Sequence, residues 1–278
     1  MSGSARPPLV LYHADCDDGF GAAYAAWLSL GDDATYQPVH HGDVVASELL
    51  AGRQVFILDF SFSPEIISTL SAVTTQIVLL DHHKSAAEQW QGVVAPPNTA
   101  ITFDMERSGA QMSWDYFHPG VSRPPLIDYI ADRDLWRFAL PGTREFCAGL
   151  SLQSNSFPVW RALSPEAVMA DGRVVAAHQQ RQIERILRSD QRPITLLGHQ
   201  GLAANIVDNT SEIGHRIALR SGTFALLFSI KGDRVMCSLR SLAPFDVSEI
   251  AKHYGGGGHA QAAGFRMPIA NFFAEIWR

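Results

Sequence analysis

QIVLLDHH, residues 76–83, sets a continuous apolar run directly before one acid and two adjacent imidazoles. A β-branched and leucine run of this length reads as a strand buried on both faces, as in a parallel sheet. Two further runs repeat the arrangement upstream, PLVLYH at 8–13 and QVFILDF at 54–60. Between them, residues 19–30 are rich in Ala and Leu, and residues 64–72 open with Pro64 at a first-turn position, so both read as helices. Strands alternating with helices predict βαβ units and an α/β fold, here an N-terminal lobe whose mostly parallel sheet is flanked by helices. Open parallel sheets bind ligands beyond the carboxyl ends of their strands. Asp15 and Asp17, Asp59, and Asp81-His82-His83 all fall at such ends and are expected to meet at one site.

Farther along, residues 108–117 and 124–136 read as helices, and residues 165–190 as a charged connecting helix. The pattern then changes. Residues 201–207 and 223–241 read as strands, the latter a hairpin turning at Lys231-Gly232-Asp233. Asp246 to Glu249 resembles a capping box opening a helix that ends at Gly255. The expected organisation is a first domain over residues 1–185 and a smaller α+β domain over residues 192–278.

With 278 residues, 46% of them hydrophobic, the chain has ample material for a core, which excludes a disordered protein. No apolar run reaches the ~18 residues of a membrane span, and MSGSARPPLVLYH lacks a signal-peptide layout. A soluble, cytoplasmic protein with no membrane partner is expected. Cys16, Cys147 and Cys237 are odd in number and widely spaced, against a disulfide framework. The net charge of −6, from 22 basic and 28 acidic residues, argues against coating a long duplex. It is compatible with a short nucleotide held in a local basic pocket.

Four clusters carry chemistry. His13-Ala14-Asp15-Cys16-Asp17-Asp18-Gly19 packs three acids and a histidine into a strand-to-helix turn. One Asp suffices to cap a helix; three repel one another unless a cation relieves them. Asp59 follows five apolar residues, and an acid there is costly to bury unless paired or metal-bound, although it could also stand in a loop past the strand. In Asp81-His82-His83, one imidazole can bind metal while its neighbour contacts substrate or moves a proton. Asp132-Arg133-Asp134 closes a helix and is also compatible with a solvated surface turn. Together these residues offer about six ligands, enough for two divalent ions sharing a carboxylate, the usual device for phosphoester hydrolysis. Mixed oxygen and nitrogen donors suit Mn2+ better than Mg2+. Near the C-terminus, Gly255 to Gly258 precede His259 and a run of small residues, expected to start a helix whose exposed amides bind an anion.

The series HADCDDG, LDFS, LDHHK and ADRD, followed by GGGGHAQAAGF, resembles the DHH phosphoesterases that carry a DHH-associated C-terminal domain. The resemblance covers nearly the whole chain. That family includes RecJ-type single-strand exonucleases, small oligoribonucleases, cyclic-dinucleotide phosphodiesterases and polyphosphatases. It implies a two-lobed enzyme with two Mn2+ ions in the N-terminal lobe and a C-terminal lobe that grips the substrate's phosphate or terminal nucleotide. It implies His13, Asp15, Asp17, Asp59, His82 and Asp132 as metal ligands, Asp59 bridging. His83 resembles the substrate-side histidine that serves the leaving oxygen. Arg240, Gly256, Gly257, Gly258 and His259 resemble the substrate-binding set. Asp18 is a carboxylate beyond the family pattern, so the first-motif pair could be shifted, and either Asp132 or Asp134 could be the fourth-motif ligand. Phe245, Tyr254 and Phe265 could stack a base or pack in the core. The implied activity is Mn2+-dependent hydrolysis of short oligonucleotides or small nucleotide phosphates, by a monomer or homodimer. Polyphosphate hydrolysis and single-strand exonuclease activity are the alternatives.

Overall fold

A computed structural model gives the structure of residues 6–40, 42–189 and 191–277. Residues 1–5, where a signal peptide would begin, His41, Asp190 at the end of the expected connecting helix, and Arg278 lie outside the described residues. The chain divides into two compact units, one ending at Ala176 and the other beginning at Ala177.

The first unit runs β1 (Leu9–His13), α1 (Asp17–Leu30), β2 (Thr35–Val39), α2 (Ser47–Leu50), β3 (Gln54–Leu58), α3 (Pro64–Ser71), β4 (Gln76–Asp81), α4 (Lys84–Gln89) and β5 (Thr99–Phe103). It continues through α5 (Gly109–Phe117), α6 (Pro125–Asp134), α7 (Thr143–Leu150), α8 (Phe157–Arg161) and α9 (Pro165–Ile186), the last leading into the second unit. The five strands pair in the order β2-β1-β3-β4-β5, all parallel. The apolar runs are continuous because each strand is covered on both sides. Leu9, Leu11, Val55, Ile57, Ile77 and Leu79 join Ile67 and Leu70 of α3 in one cluster. The alternate residues Val10, Phe56, Leu58, Val78 and Leu80 join Ala22, Ala23 and Ala26 of α1 and Met112 of α5 in another. The period-two alternation of a strand thus divides each run between two cores.

Strand order reverses between β1 and β3: β2 lies on one side of β1, while β3, β4 and β5 follow in sequence on the other. A ligand crevice forms at such a reversal, outside the carboxyl ends of the strands. The edge strands β2 and β5 lack long apolar runs, which is why sequence patterning did not locate them.

The second unit contains β6 (Arg192–Leu196), β7 (His199–Asn205), α10 (Thr210–Ser221), β8 (Phe224–Lys231), β9 (Arg234–Ser241), α11 (Ser248–His253), β10 (Gly257–Gly258), β11 (Ala262–Pro268) and α12 (Ile269–Glu275). Its sheet has the order β10-β11-β9-β8-β7-β6, antiparallel except where α10 joins the parallel pair β7 and β8. One face packs Phe224, Leu226, Phe228 and Phe265 against Val247, Ile250 and Phe272. The other packs Ala225 and Leu227 against Ile213 and Ile217 of α10 and Ile183 of α9. The expected α/β lobe with a smaller α+β domain is therefore present.

The helix expected after the four glycines is absent. Residues 262–268 form β11, paired with β9. Ala263, Phe265 and Met267 alternate into the core, a strand pattern. The small residues serve a close passage instead. A Cβ on Gly256 would lie 2.0 Å from the Gly264 carbonyl oxygen.

In the first unit α7 and α9 also meet at their backbones. A Cβ on Gly172 would stand 1.7 Å from the Glu145 carbonyl oxygen, and one on Gly149 would stand 1.9 Å from that of Val168. Backbone cannot yield as a side chain does, so Gly172→Ala should lower the unfolding free energy by roughly 3 kcal/mol. Urea titration followed by tryptophan fluorescence measures this; an unchanged midpoint would place the helices farther apart than described.

Candidate metal centre

The carboxyl ends of β1, β3 and β4 deliver the donors. His13 ends β1, Asp59 follows β3, and Asp81 closes β4 with His82 and His83 next. Asp59 adopts φ 64°, a left-handed backbone that a non-glycine residue keeps only where its surroundings enforce it. The surroundings here are tight: a Cβ on Gly109 would lie 2.4 Å from that of Asp59.

His82 Nε2 lies among three carboxylates, 3.0 Å from Asp59 Oδ1, 3.6 Å from Asp18 Oδ2 and 3.6 Å from Asp134 Oδ2. His13 Nδ1 is 3.3 Å from Asp59 Oδ2. His83 Nδ1 donates to Asp81 Oδ1 at 2.7 Å, and the His82 and His83 amides donate to that same oxygen. Asp81 Oδ2 is buried and has no hydrogen-bond partner among the described residues. Donor atoms of His13, Cys16 and Asp59 lie within 4.8 Å of one another, as do those of Asp18, His82 and Asp134, and those of Asp59, Asp81 and His83. Asp59 belongs to two of these groups.

The electrostatics follow from this crowding. Burial, then the charges of Asp59 and Asp134, push Asp18 well above the usual carboxylate range. Asp134 is raised by burial and by Asp59, against His82. Burial acts on Asp59 in the same upward direction, but hydrogen bonds from His13 and His82 outweigh it and hold Asp59 well below that range. Burial would lower His82; the bond to Asp59 and the charges of Asp134, Asp59 and Asp18 raise it to about 10. His83 is likewise lowered by burial but raised on balance by Asp81. Burial, then Asp59, Asp134 and Asp18, push the Cys16 thiol well above its ordinary value. Several acids around one imidazole, with a buried carboxylate oxygen unsatisfied, are a donor set that fits divalent cations.

The residues singled out in the sequence divide in two. His13, Asp59, His82 and His83 come together. Asp15 does not: its side chain is 90% exposed and its Oδ2 sits 3.9 Å from His40. Asp17 stands outside the three groups, raised by burial against the pull of Arg133. Asp132 is occupied otherwise, accepting from the Ala139 and Leu140 amides at 2.8 and 3.0 Å and from Thr143 Oγ1 at 2.5 Å. It clamps a loop in which Trp136 and Phe138 have positive φ. Asp134 takes the place beside His82.

The first motif shifts in the same way. Asp17 and Asp18 open α1 about 100° apart around its axis, so only one can face the sheet, and it is Asp18. Asp18 also accepts from the Gly109 and Ala110 amides at 2.6 and 3.0 Å, seating the N-terminus of α5. Cys16, Asp81 and Asp134 complete the groups; the helical phase of α1 and the last turn of α6 were the signals that could have located Cys16 and Asp134.

In the second unit, Arg240 Nη2 donates to Ser211 Oγ at 2.9 Å and Nη1 to the Leu239 carbonyl at 2.8 Å. Burial lowers the guanidinium to about 10, and no carboxylate among the described residues pairs with it. The Gly256 amide bonds to the Ala251 carbonyl and that of His259 to Ala262, while Gly257 and Gly258 form β10. Phe265 is core, with Tyr254 stacked on it at 4.6 Å, and Phe245 packs on Phe224.

Residues 197–277 match the model of the DHHA1 domain. Most of the C-terminal unit is thus similar to a DHHA1 domain. With Asp81-His82-His83 in the first unit, this bears out the resemblance to the DHH family. An uncharacterized protein, R106, of Acanthamoeba polyphaga mimivirus is 28% identical over 92% of this chain. The chain spans 66% of the length of that relative. Among solved structures, PggH of Vibrio cholerae, a pGpG-specific phosphodiesterase, aligns with TM-score 0.53 and 15% identity over 95% of this chain and 94% of its own. RecJ of Thermus thermophilus in complex with Mn2+ aligns with TM-score 0.53 and 17% identity over 96% of this chain and 50% of its own. These likenesses show the fold that carries the DHH motif and the DHHA1 domain. No helix among the described residues is long and apolar enough to cross a membrane.

Two outcomes test the centre. With its imidazole held at about 10, His82 is protonated at pH 7 in the cation-free protein, and an ion binding Nε2 must displace that proton. Adding a divalent cation at pH 7 should therefore release protons, and affinity should rise with pH up to about 10. Calorimetry in buffers of different ionisation enthalpy reads this directly. Separately, Asp132→Ala should cost about 3 kcal/mol by stranding three donors, with bound metal unchanged. Asp134→Asn should lower metal content and leave the chelator-treated protein no less stable. Calorimetric scans and elemental analysis separate the two.

Proposed function

We propose that the protein is a metal-dependent phosphoesterase that hydrolyses short oligonucleotides or small nucleotide phosphates. The observation that carries this reading is the position of Asp59, a buried carboxylate that belongs to the donor group of His13 and Cys16 and stands 3.0 Å from His82, the histidine between Asp18 and Asp134. A shared carboxylate is what two adjacent cations require. Mixed oxygen and nitrogen donors favour Mn2+. Two such ions would supply charge neutralisation at phosphorus and a water that ionises near neutral pH. Free cysteines suit a cytoplasmic setting.

The chain's own residues would act as follows. Asp81 is acceptor-only when ionised, so His83 donates from Nδ1 and its Nε2 is fixed in direction. An upward-shifted His83 holds a proton for the leaving oxygen. In the DHHA1 domain, Arg240, with no carboxylate partner among the described residues, and the His259 side chain after Gly256, Gly257 and Gly258 would hold the substrate's phosphate. The chain's alignment with 94% of a pGpG-specific phosphodiesterase supports a short substrate, as does the net charge of −6.

The test is a product assay with Mn2+ on a labelled dinucleotide, a labelled 20-mer, phosphoadenosine phosphate and polyphosphate. Rapid cleavage of the dinucleotide or phosphoadenosine phosphate with little action on the 20-mer is expected; phosphate release from polyphosphate alone would overturn the nucleotide reading. Asp59→Ala should lose hydrolysis and bound metal together. His83→Gln should keep its metal and lose about 10²–10⁴ in kcat.

A further inference from the structure

Of the three cysteines, two belong to apolar cores. Cys147 packs beside Phe146 and Leu150 and points its thiol at the Tyr129 carbonyl, and Cys237 lies on β9 within the core of the DHHA1 domain. Cys16 belongs to no apolar cluster. It occupies the N-cap position of α1, where Ser, Thr, Asp or Asn would bond to a first-turn amide, and its thiol makes no capping bond. Neither packing nor capping accounts for a cysteine there.

Its neighbours do account for it. Cys16 Sγ shares a volume with a nitrogen of His13 and a carboxylate oxygen of Asp59, each atom within 4.8 Å of the others. Ligands bound to one ion at ~2.0–2.3 Å stand about 3.5 Å apart, so modest contraction around a cation brings these three into contact with it. The alternation expected of donors in the first motif would then be displaced by one residue. Its members would be Cys16 and Asp18, the first of them a sulfur donor.

We propose that Cys16 is a thiolate ligand to one of the two cations, so that the centre is chemically asymmetric. His13, Cys16 and Asp59 select a thiophilic divalent ion such as Zn2+, Co2+ or Fe2+, whereas Asp18, His82 and Asp134 offer only oxygen and nitrogen and accept Mn2+. Thiolate raises affinity most for ions late in the divalent series, where Zn2+ and Co2+ exceed Mn2+. The proposal rests on the two-cation reading above and adds the identity of the ion at one position.

The experiment loads metal-free protein with Co2+ and records its absorption. Thiolate ligation gives an intense sulfur-to-cobalt charge-transfer band in the near ultraviolet, beside weaker visible bands that any Co2+ site shows. Wild-type protein should display both, and Cys16→Ser should keep the visible bands while losing the ultraviolet one. The preference for Zn2+ over Mn2+, measured by competition, should fall by an order of magnitude or more in that variant. Should Cys16→Ser fail to fold, alkylation of wild-type protein decides the matter. Zn2+ should protect the peptide carrying Cys16 from iodoacetamide, and unchanged labelling would refute ligation. Visible bands without the ultraviolet band in wild-type protein, with the dinucleotide still cleaved, would overturn the sulfur ligand and leave the hydrolase reading standing. Absence of any bound cation, with no hydrolysis, would overturn both.

Discussion

Asp18, Asp59 and Asp134 are brought within 3.6 Å of one imidazole nitrogen, and the surrounding structure is arranged to keep them there. Like charges this close in a partly water-excluded site repel strongly, so each must be held by something stronger than its own preference. For Asp18 the holder is the pair of amides that open α5; for Asp59 it is a left-handed backbone with Gly109 pressed against it. Two of the acids facing the centre are thus matched by contacts that fix them.

The parallel sheet makes that convergence possible. Because strand order reverses between β1 and β3, residues far apart in sequence leave neighbouring strands at the same end. The apolar runs that bury both sheet faces thus also aim the polar residues that end them. Helices α1, α5 and α6 add the rest, each through its terminal turn. The DHHA1 domain is built on different terms, a mixed sheet with helices on each face, in which Arg240 of β9 is tied to Ser211 of α10.

Much of this could be read from residues alone, and the failures have physical causes. Strands β1, β3 and β4 were legible because burial on both faces demands unbroken apolar runs. His13, Asp59, His82 and His83 were legible because they terminate those runs. Which acid of a helical turn faces inward was not legible. The choice between Asp17 and Asp18, and between Asp132 and Asp134, depends on how α1 and α6 pack, and that is tertiary information. The run after Gly255 misled for another reason. Small residues favour a helix locally, yet here they serve strand pairing and a backbone approach that leaves no room for a Cβ. Edge strands β2, β5 and β6 carry too little apolar pattern to announce themselves.

Those edges have a consequence of their own. A sheet margin exposes unpaired backbone groups that invite another chain to add a strand. Here β2, at one margin of the first sheet, contains Pro38, which lacks an amide hydrogen, and β6, at one margin of the second, begins Arg192-Pro193. The opposite margin of the second sheet is β10, only two glycines long. Three of the four margins are thus poor templates for strand addition, and chains of this protein at high concentration are guarded against edge-to-edge aggregation by backbone chemistry as well as by charge.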